Sequence, residues 1–414
     1  MFEKVSDVFV AAAAKYLRAV DVTRANSKSR GSNQHEIGGL TKAGITQYLG
    51  KPSKGETFYY QATMYYLSDE EVISVEAKLS WYDTRANKEH RGPEYRLYYP
   101  DNEVTDLAKE GDFFIIAVTP EKGLHLIFCE SNSETELQLR SIFGAFEQQF
   151  ETSLIDLGIE KARIELPIQM LLSELGVELY QAKNKDGDKL AFLINEFGEE
   201  FPATRKFSAV ARELSGSNSD PVSEPDEVLV EWMSEEEHLF KLFERKRVAD
   251  QLKAGFGENG DDVDQFISFS LSVQNRRKSR SGHAFENHIE CILKENKVEF
   301  IRSGRTEGKK KPDFLMPSNE AYADSAFPKE KLFILGAKTT CKDRWRQVLS
   351  EGQRVYRKHL ITLQPAISED QLEEMEGSQL QLVVPTPIQQ QYSVTSRKRL
   401  MSFQQLISEL PKQG

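Results

Sequence analysis

Apolar and polar residues alternate along the first third of the chain in short runs separated by turn residues. The clearest runs cover 58–67, 73–82, 95–99, 113–118 and 124–129. A period of two sends successive side chains to opposite faces of a strand, so these runs predict closely spaced strands and a barrel or sandwich. Helical spacing of apolar residues predicts one helix over 8–19 before the strands and another over 134–150 after them.

The second half has a different rhythm. Apolar spacing near 3.6 predicts helices over 227–252, 264–273 and 284–293. Strands then follow at 300–302, 313–315, 332–338, 359–363 and 380–385, with a helix over 343–357 between the third and fourth of these. Alternating strands and helices predict an α/β sheet covered by helices. A chain of 414 residues exceeds the size at which one hydrophobic core stops growing, so two domains are expected. Two polar, Gly-rich stretches compete for the boundary, 182–200 and 215–221.

Composition narrows the class. With 39% hydrophobic and 29% charged residues the chain reads as an ordinary soluble globular protein. No apolar run is long enough to cross a bilayer, and the first residues lack the basic and apolar regions of a secretory signal. A cytoplasmic protein without a membrane partner is the expectation. Cys129, Cys291 and Cys341 are odd in number and far apart, which predicts neither a disulfide framework nor a structural zinc. The net charge of -11 argues against indiscriminate binding of polyanions. Between 271 and 311, however, eleven basic residues stand against five acidic ones, and this stretch is expected to touch phosphates.

Directly after the basic stretch comes Lys311-Pro312-Asp313-Phe314, and further on a strand that ends Gly336-Ala337-Lys338. An acid on one strand and a lysine on the next can hold a divalent cation and a water against a scissile phosphate, the outline of a metal-dependent nuclease. The commonest version of this motif has a second acid two residues before the lysine, where this chain has Gly336. Glu351 is expected to replace it, because Arg344, Gln347 and Glu351 would share one face of the predicted helix. Glu286 is a further candidate carboxylate. In this reading Asp313 and Glu351 hold Mg²⁺ while Lys338 orients the attacking water. A lone Pro-Asp is otherwise a surface ion pair. Lys342-Asp343-Arg344-Trp345-Arg346-Gln347 alternates donors with one acceptor and could read a C·G step in the major groove.

Three runs in order, 272–282, 306–315 and 338–347, resemble the EcoRII family of type IIE restriction endonucleases, and the likeness covers essentially everything after residue 200. The resemblance implies a PD-(D/E)XK nuclease core in which the second acid has moved to the helix. It implies that Asp313, Lys338 and Glu351 are catalytic with Glu286 accessory, and that Lys342, Asp343 and Arg344 read the outer C·G pairs. Members of this branch flip central bases out of the duplex; Trp232 is a candidate to stack on them, with helix packing as the alternative. The first third is similar to the family's effector domain, a DNA-binding pseudobarrel of the plant B-three type, through His35-Glu36-Ile37-Gly38, 81–85 and 94–96. His35, Arg85, Glu94 and Arg96 would then touch DNA. The expected organisation is an effector domain over 1–180, a linker over 181–200 and a catalytic domain over 201–414. The expected protein is a homodimeric, Mg²⁺-dependent endonuclease that cuts double-stranded DNA at a short CC/GG-flanked, CCWGG-like site. An effector copy of that DNA relieves autoinhibition. The alternatives are a nonspecific or structure-specific repair nuclease and a non-catalytic DNA-binding regulator.

Overall fold

The computed structural model describes residues 9–22, 35–69, 72–86, 90–143, 145, 153–155, 186–198, 200–216, 219–257, 260–341 and 345–412. The chain forms two compact units, Phe2–Leu179 and Tyr180–Gln364 with Glu369–Gly414. Among the described residues no helix is long and apolar enough to cross a membrane.

The first unit is built on eight strands: β1 Ala11–Tyr16, β2 Glu36–Ile37, β3 Thr57–Leu67, β4 Val72–Asp83, β5 Tyr95–Tyr98, β6 Phe113–Val118, β7 Leu124–Cys129 and β8 Ser153–Ile155. They form one mixed sheet in the order β2-β5-β4-β3-β7-β6-β1-β8, antiparallel except where β3 runs parallel to β7. Alternation fixes which face each side chain takes. On β6, Phe114, Ile116 and Val118 enter a core with Trp81, Leu97 and Tyr99, while Phe113, Ile115 and Ala117 enter a second core with Leu139 and Phe143 of the Glu134–Phe143 helix. Residues 144 and 146–150, which complete the expected helix over 134–150, lie outside the described residues.

The helix expected over 8–19 is a strand. Ala11 to Ala14 carry no helical period of their own, and the structure sends Ala11 and Ala13 into one core and Ala12 and Ala14 into the other. Alanine's helix propensity is a preference of well under 1 kcal/mol per residue against larger side chains. Sheet pairing on both edges, to β6 and β8, overrides it.

The second unit carries β9 Ile301–Arg302, β10 Phe314–Met316, β11 Phe333–Lys338, β12 Lys358–Thr362 and β13 Leu380–Val383. The sheet order is β13-β12-β11-β10-β9; the three strands β9, β10 and β11 pair antiparallel, and β11, β12 and β13 pair parallel. The Val263–Glu295 helix packs on β11, the Trp345–Leu349 helix on β12 and the Glu369–Gly377 helix on β13.

Three expectations for this unit change. The two helices expected over 264–273 and 284–293 are one helix of 33 residues, started by Asp262, whose side chain accepts from the Gln265 N–H. The polar gap at Ser281-Gly282 does not break it, since one helical glycine costs about 1 kcal/mol. The stretch expected as a linker over 181–200 contains a helix, Asp186–Phe197. Leu190, Leu193 and Phe197 lie at i, i+3 and i+7 and pack with Phe207, Phe240 and Phe243. Asp186 and Asp188 are the acids of its first turn, where the helix dipole favours them. Lastly, among the described residues the helix expected over 343–357 covers Trp345–Leu349, and a turn with Gly352 at φ 62° follows it; residues 343 and 344 lie outside the described residues.

Candidate active site

Asp313 stands immediately before β10, and its backbone C=O accepts from Ser303 N–H at 2.9 Å, which continues the β9–β10 pairing. Across the β10–β11 pair its carboxylate reaches the end of β11. Oδ2 accepts from Lys338 Nζ at 2.7 Å and from the Ala337 backbone N–H at 2.7 Å. Both side chains remain partly open to solvent, at 23% for Lys338 and 19% for Asp313, so the pair lines a surface that a ligand can reach.

Glu351 joins this pair through the turn, not through a helix. Its carboxyl is held above the ordinary value by burial and by the negative charge of Asp313, while Lys338, Lys310 and Lys358 pull the other way. Gly336 explains the path of the chain. A Cβ there would stand 2.7 Å from Val348 Cγ2 and 3.4 Å from Leu360 Cδ1. The position where the commonest motif has an acid is therefore filled by Val348 of the Trp345–Leu349 helix. That helix runs into the turn that carries Glu351, whose N–H donates to Val348 O at 3.1 Å.

Glu286 sits on the Val263–Glu295 helix and is taken up by Arg302 of β9, whose Nη2 and Nε donate to its Oε2 at 2.7 and 3.2 Å. Among the described residues no three His, Cys, Asp or Glu side chains gather closely enough to share one ion, so Glu286 does not complete a set with Asp313 and Glu351. Lys342, Asp343 and Arg344 lie outside the described residues. The strand leading to them is fastened to β12 and its continuation: Thr362 Oγ1 donates to Thr339 O at 3.2 Å, and Gln364 Oε1 accepts from Cys341 N–H at 2.6 Å. Trp232 is only 8% exposed, tilted against His288 with Arg212 over its ring. Helix packing accounts for it.

The basic stretch over 271–311 divides: Lys294, Lys297, Arg305, Lys310 and Lys311 are exposed, whereas four of its arginines turn inward. Arg276 stacks on Phe201, Arg277 pairs with Glu244 at 2.5 Å, and Arg280 is buried against Glu237 and the Phe240 ring. Arg302 is shared by Glu286 and Glu290. Arg277 and Arg280 thus balance acids from elsewhere in the unit, and Arg302 balances acids of the stretch itself. Composition could not show this, because the partners Glu237 and Glu244 are more than thirty residues away in sequence.

In the first unit, Arg85, Glu94 and Arg96 do come together. Glu94 pairs with both arginines, and Arg96 Nη1 donates to Glu36 Oε2 at 2.9 Å. Tyr82 donates its hydroxyl to the other Glu36 oxygen, and burial and that carboxylate push the phenol up. His35 is buried, stacked on Tyr99 with ring centroids 5.2 Å apart and 3.2 Å from Asp101 Oδ1.

Sequence reasoning missed the residues around the Glu351 turn. Lys310 Nζ donates to Ser350 O at 2.9 Å, and Glu307 accepts from Tyr322 Oη at 2.5 Å and from Gln353 N–H at 3.2 Å. Burial pulls the Lys358 amine down, against the opposing carboxylates of Glu307 and Glu351. Glu307 and Lys310 stand inside the motif run before Asp313, but nothing in their order reveals a partner some forty residues later.

An acid at the start of one strand touches a lysine at the end of the next, with a second acid on a turn nearby, and residues 240–407, which include Asp313, Lys338 and Glu351, match the family described as EcoRII C terminal. The chain is 44% identical over 188 residues to the type II restriction enzyme EcoRII of Escherichia coli. That match covers 45% of this chain and 46% of EcoRII, so the chain spans about half the length of the curated relative it matches. Among solved structures, metal-depleted Ecl18kI in complex with uncleaved DNA is similar at 19% identity and a TM-score of 0.43, over 54% of this chain and 83% of that one. A complex of the restriction endonuclease PspGI with substrate DNA is similar at 14% identity and a TM-score of 0.38, over 54% of this chain and 90% of that one.

Proposed function

We infer that this chain is a site-specific deoxyribonuclease that hydrolyses phosphodiester bonds in double-stranded DNA. The observation that carries the reading is the Asp313–Lys338 contact at 2.7 Å with Glu351 beside it, inside a domain that matches the EcoRII C-terminal family.

The donor set fits a hard divalent cation. Asp313 and Glu351 offer carboxylate oxygens, and burial, with Asp313 nearby, raises the Glu351 carboxyl, so a cation beside it would favour its ionised form. These two residues would hold Mg²⁺. When bound, the ion supplies Lewis-acid polarisation of the phosphate and a lowered pKa for its water. Lys338, held against Asp313 and partly exposed, is set to orient the attacking water and to offset charge that develops on the phosphoryl oxygens.

Specificity is assigned to Lys342, Asp343 and Arg344, whose donor–acceptor–donor order suits the outer C·G pairs of a CC/GG-flanked, CCWGG-like site. A twofold-symmetric site calls for a homodimer, each copy reading one half. The first unit, by the sequence likeness of its arms to a B-three-type pseudobarrel, is the candidate effector domain. There Arg85 and Arg96, oriented by Glu94, would meet phosphates beside His35. Autoinhibition relieved by a second DNA copy completes the reading.

Incubation of plasmid DNA with the full chain tests it. Discrete fragments are expected with Mg²⁺, none with EDTA, and none from Asp313→Ala or Lys338→Ala. Smears would replace this reading with a nonspecific nuclease, and cleavage by both variants would remove the assigned mechanism. Autoinhibition predicts that one-site DNA is cut slowly and that a cleavage-resistant second site added in trans speeds the reaction. Equal rates would discard it.

A further inference from the structure

Of the two assigned metal ligands, Asp313 borders β10 and is fastened to the sheet by Ser303 N–H to its C=O at 2.9 Å, whereas Glu351 lies on a turn. It follows a helix of five residues and precedes Gly352, whose φ of 62° lies in the left-handed region. A Cβ on Gly352 would collide with the Ile334 side chain, so the chain turns here tightly against β11. A carboxylate on such a turn is only as well aimed as the contacts that fix the turn.

Within the turn Glu351 N–H donates to Val348 O at 3.1 Å and Val355 N–H to Gly352 O at 3.1 Å, and Arg354 reaches Tyr322 O and Phe327 O; the bonds on either side of Glu351 come from the loop that leads into Asp313. Lys310 Nζ donates to Ser350 O at 2.9 Å, just before Glu351. Glu307 Oε2 accepts from Gln353 N–H at 3.2 Å, just after it. Its other oxygen, Oε1, is held by Tyr322 Oη at 2.5 Å, and the same hydroxyl is 3.4 Å from Arg354 N–H. The loop is closed on itself by Thr306 N–H to Lys310 O at 3.0 Å, and is tied to the start of the Asn319–Ala323 helix by Arg305 N–H to Asn319 Oδ1 at 2.8 Å.

We propose that Glu307, with Tyr322, is a positioning residue that clasps the Glu351 turn to the Asp313 loop and so sets the spacing of the two metal-binding carboxylates. Glu307 touches neither carboxylate and acts through the backbone that carries Glu351. Because the second acid was displaced from Gly336 to a turn, its aim depends on this clasp, where a strand-borne acid would be aimed by the sheet itself. The inference rests on the nuclease reading above.

The test is a metal titration of full-length protein, read in two ways. Cleavage rate against Mg²⁺ gives a half-saturating concentration, and thermal unfolding against Mn²⁺ without DNA gives a binding midpoint independent of turnover. Glu307→Ala is expected to move both midpoints upward by about tenfold. The maximal rate at saturating metal should return to within roughly threefold, as expected when positioning alone is lost. Tyr322→Phe, which removes one hydroxyl, should shift the midpoints in the same direction by less, and Glu307→Gln, which keeps one acceptor, should fall between Glu307→Ala and the unsubstituted chain. A uniform loss of rate at every metal concentration, with a lowered metal-free melting temperature, would make Glu307 merely structural and overturn the proposal. If the unsubstituted chain binds metal and cuts while Glu307→Ala and Tyr322→Phe titrate as it does, the positioning role fails and the nuclease reading stands. If the unsubstituted chain neither binds metal nor cuts, both fail.

Discussion

The two units hold their charged clusters in opposite states. In the first, Glu36, Arg85, Glu94 and Arg96 balance two acids against two arginines, and the Tyr82 hydroxyl occupies a remaining Glu36 oxygen. In the second, Asp313 takes up Lys338, and Glu351 stands half-buried with its carboxyl pushed up by burial and by Asp313. A closed network fixes the orientation of its members, whereas an open one has a use for a further cation. Residue types alone do not distinguish the two, since both clusters mix acids with basic side chains.

The largest effect should come from forcing the second unit toward the commoner motif. Gly336→Glu puts an acid two residues before Lys338, where the Cβ would meet Val348 Cγ2 at 2.7 Å. The Trp345–Leu349 helix must then move off the sheet, at a cost of about 3 kcal/mol for overpacking, and Glu351 moves with it. Cleavage should fall below detection and the denaturant midpoint of this unit should drop. An active, equally stable Gly336→Glu enzyme would mean that the acid at Glu351 and the small residue at 336 are unrelated.

A smaller effect is expected from opening the balanced cluster. Glu94→Gln removes one negative charge from between Arg85 and Arg96. If these arginines meet phosphates, binding of any duplex tightens at low salt, discrimination between sequences falls, and the slope of log K against log salt steepens by about one. The measurement is a salt series with the full chain carrying Asp313→Ala to prevent cutting. An unchanged slope would take the cluster out of the DNA interface.

What could be read from sequence follows the same division. Strands with strict alternation or continuous apolar runs, such as β3, β4, β6 and β11, stand in the structure close to where the pattern puts them. The misread elements are those whose identity is set by distant partners. Ala11–Ala14 is a strand because β6 and β8 flank it, and the Asp186–Phe197 helix exists because Phe207, Phe240 and Phe243 cover Leu193. At the candidate site, the Asp313–Lys338 contact was legible because strand ends and spacing define it. The Glu351 turn was not, since its φ > 0 glycine, the Val348 contact and the Glu307 clasp all depend on tertiary packing.

A balanced network inside the second unit gives the finest comparison, because it separates closure of charge from the unit it belongs to. Glu290 accepts from Lys294 at 2.6 Å and from Arg302 at 2.9 Å, and also pairs with Arg205. Burial alone would raise its carboxyl, but these three cations outweigh it and bring the value down from 4.5 to about 2. With the folded value below the unfolded one, the stabilisation is complete above pH 4.5 and is lost as pH falls through about 2. Glu290→Gln removes that titration. Its urea midpoint should lie below that of the unsubstituted chain at pH 5, and the gap should narrow steadily toward pH 2. A gap of constant size would mean that the pairs are screened at this partly exposed site and that the closed network holds geometry without linking stability to protonation.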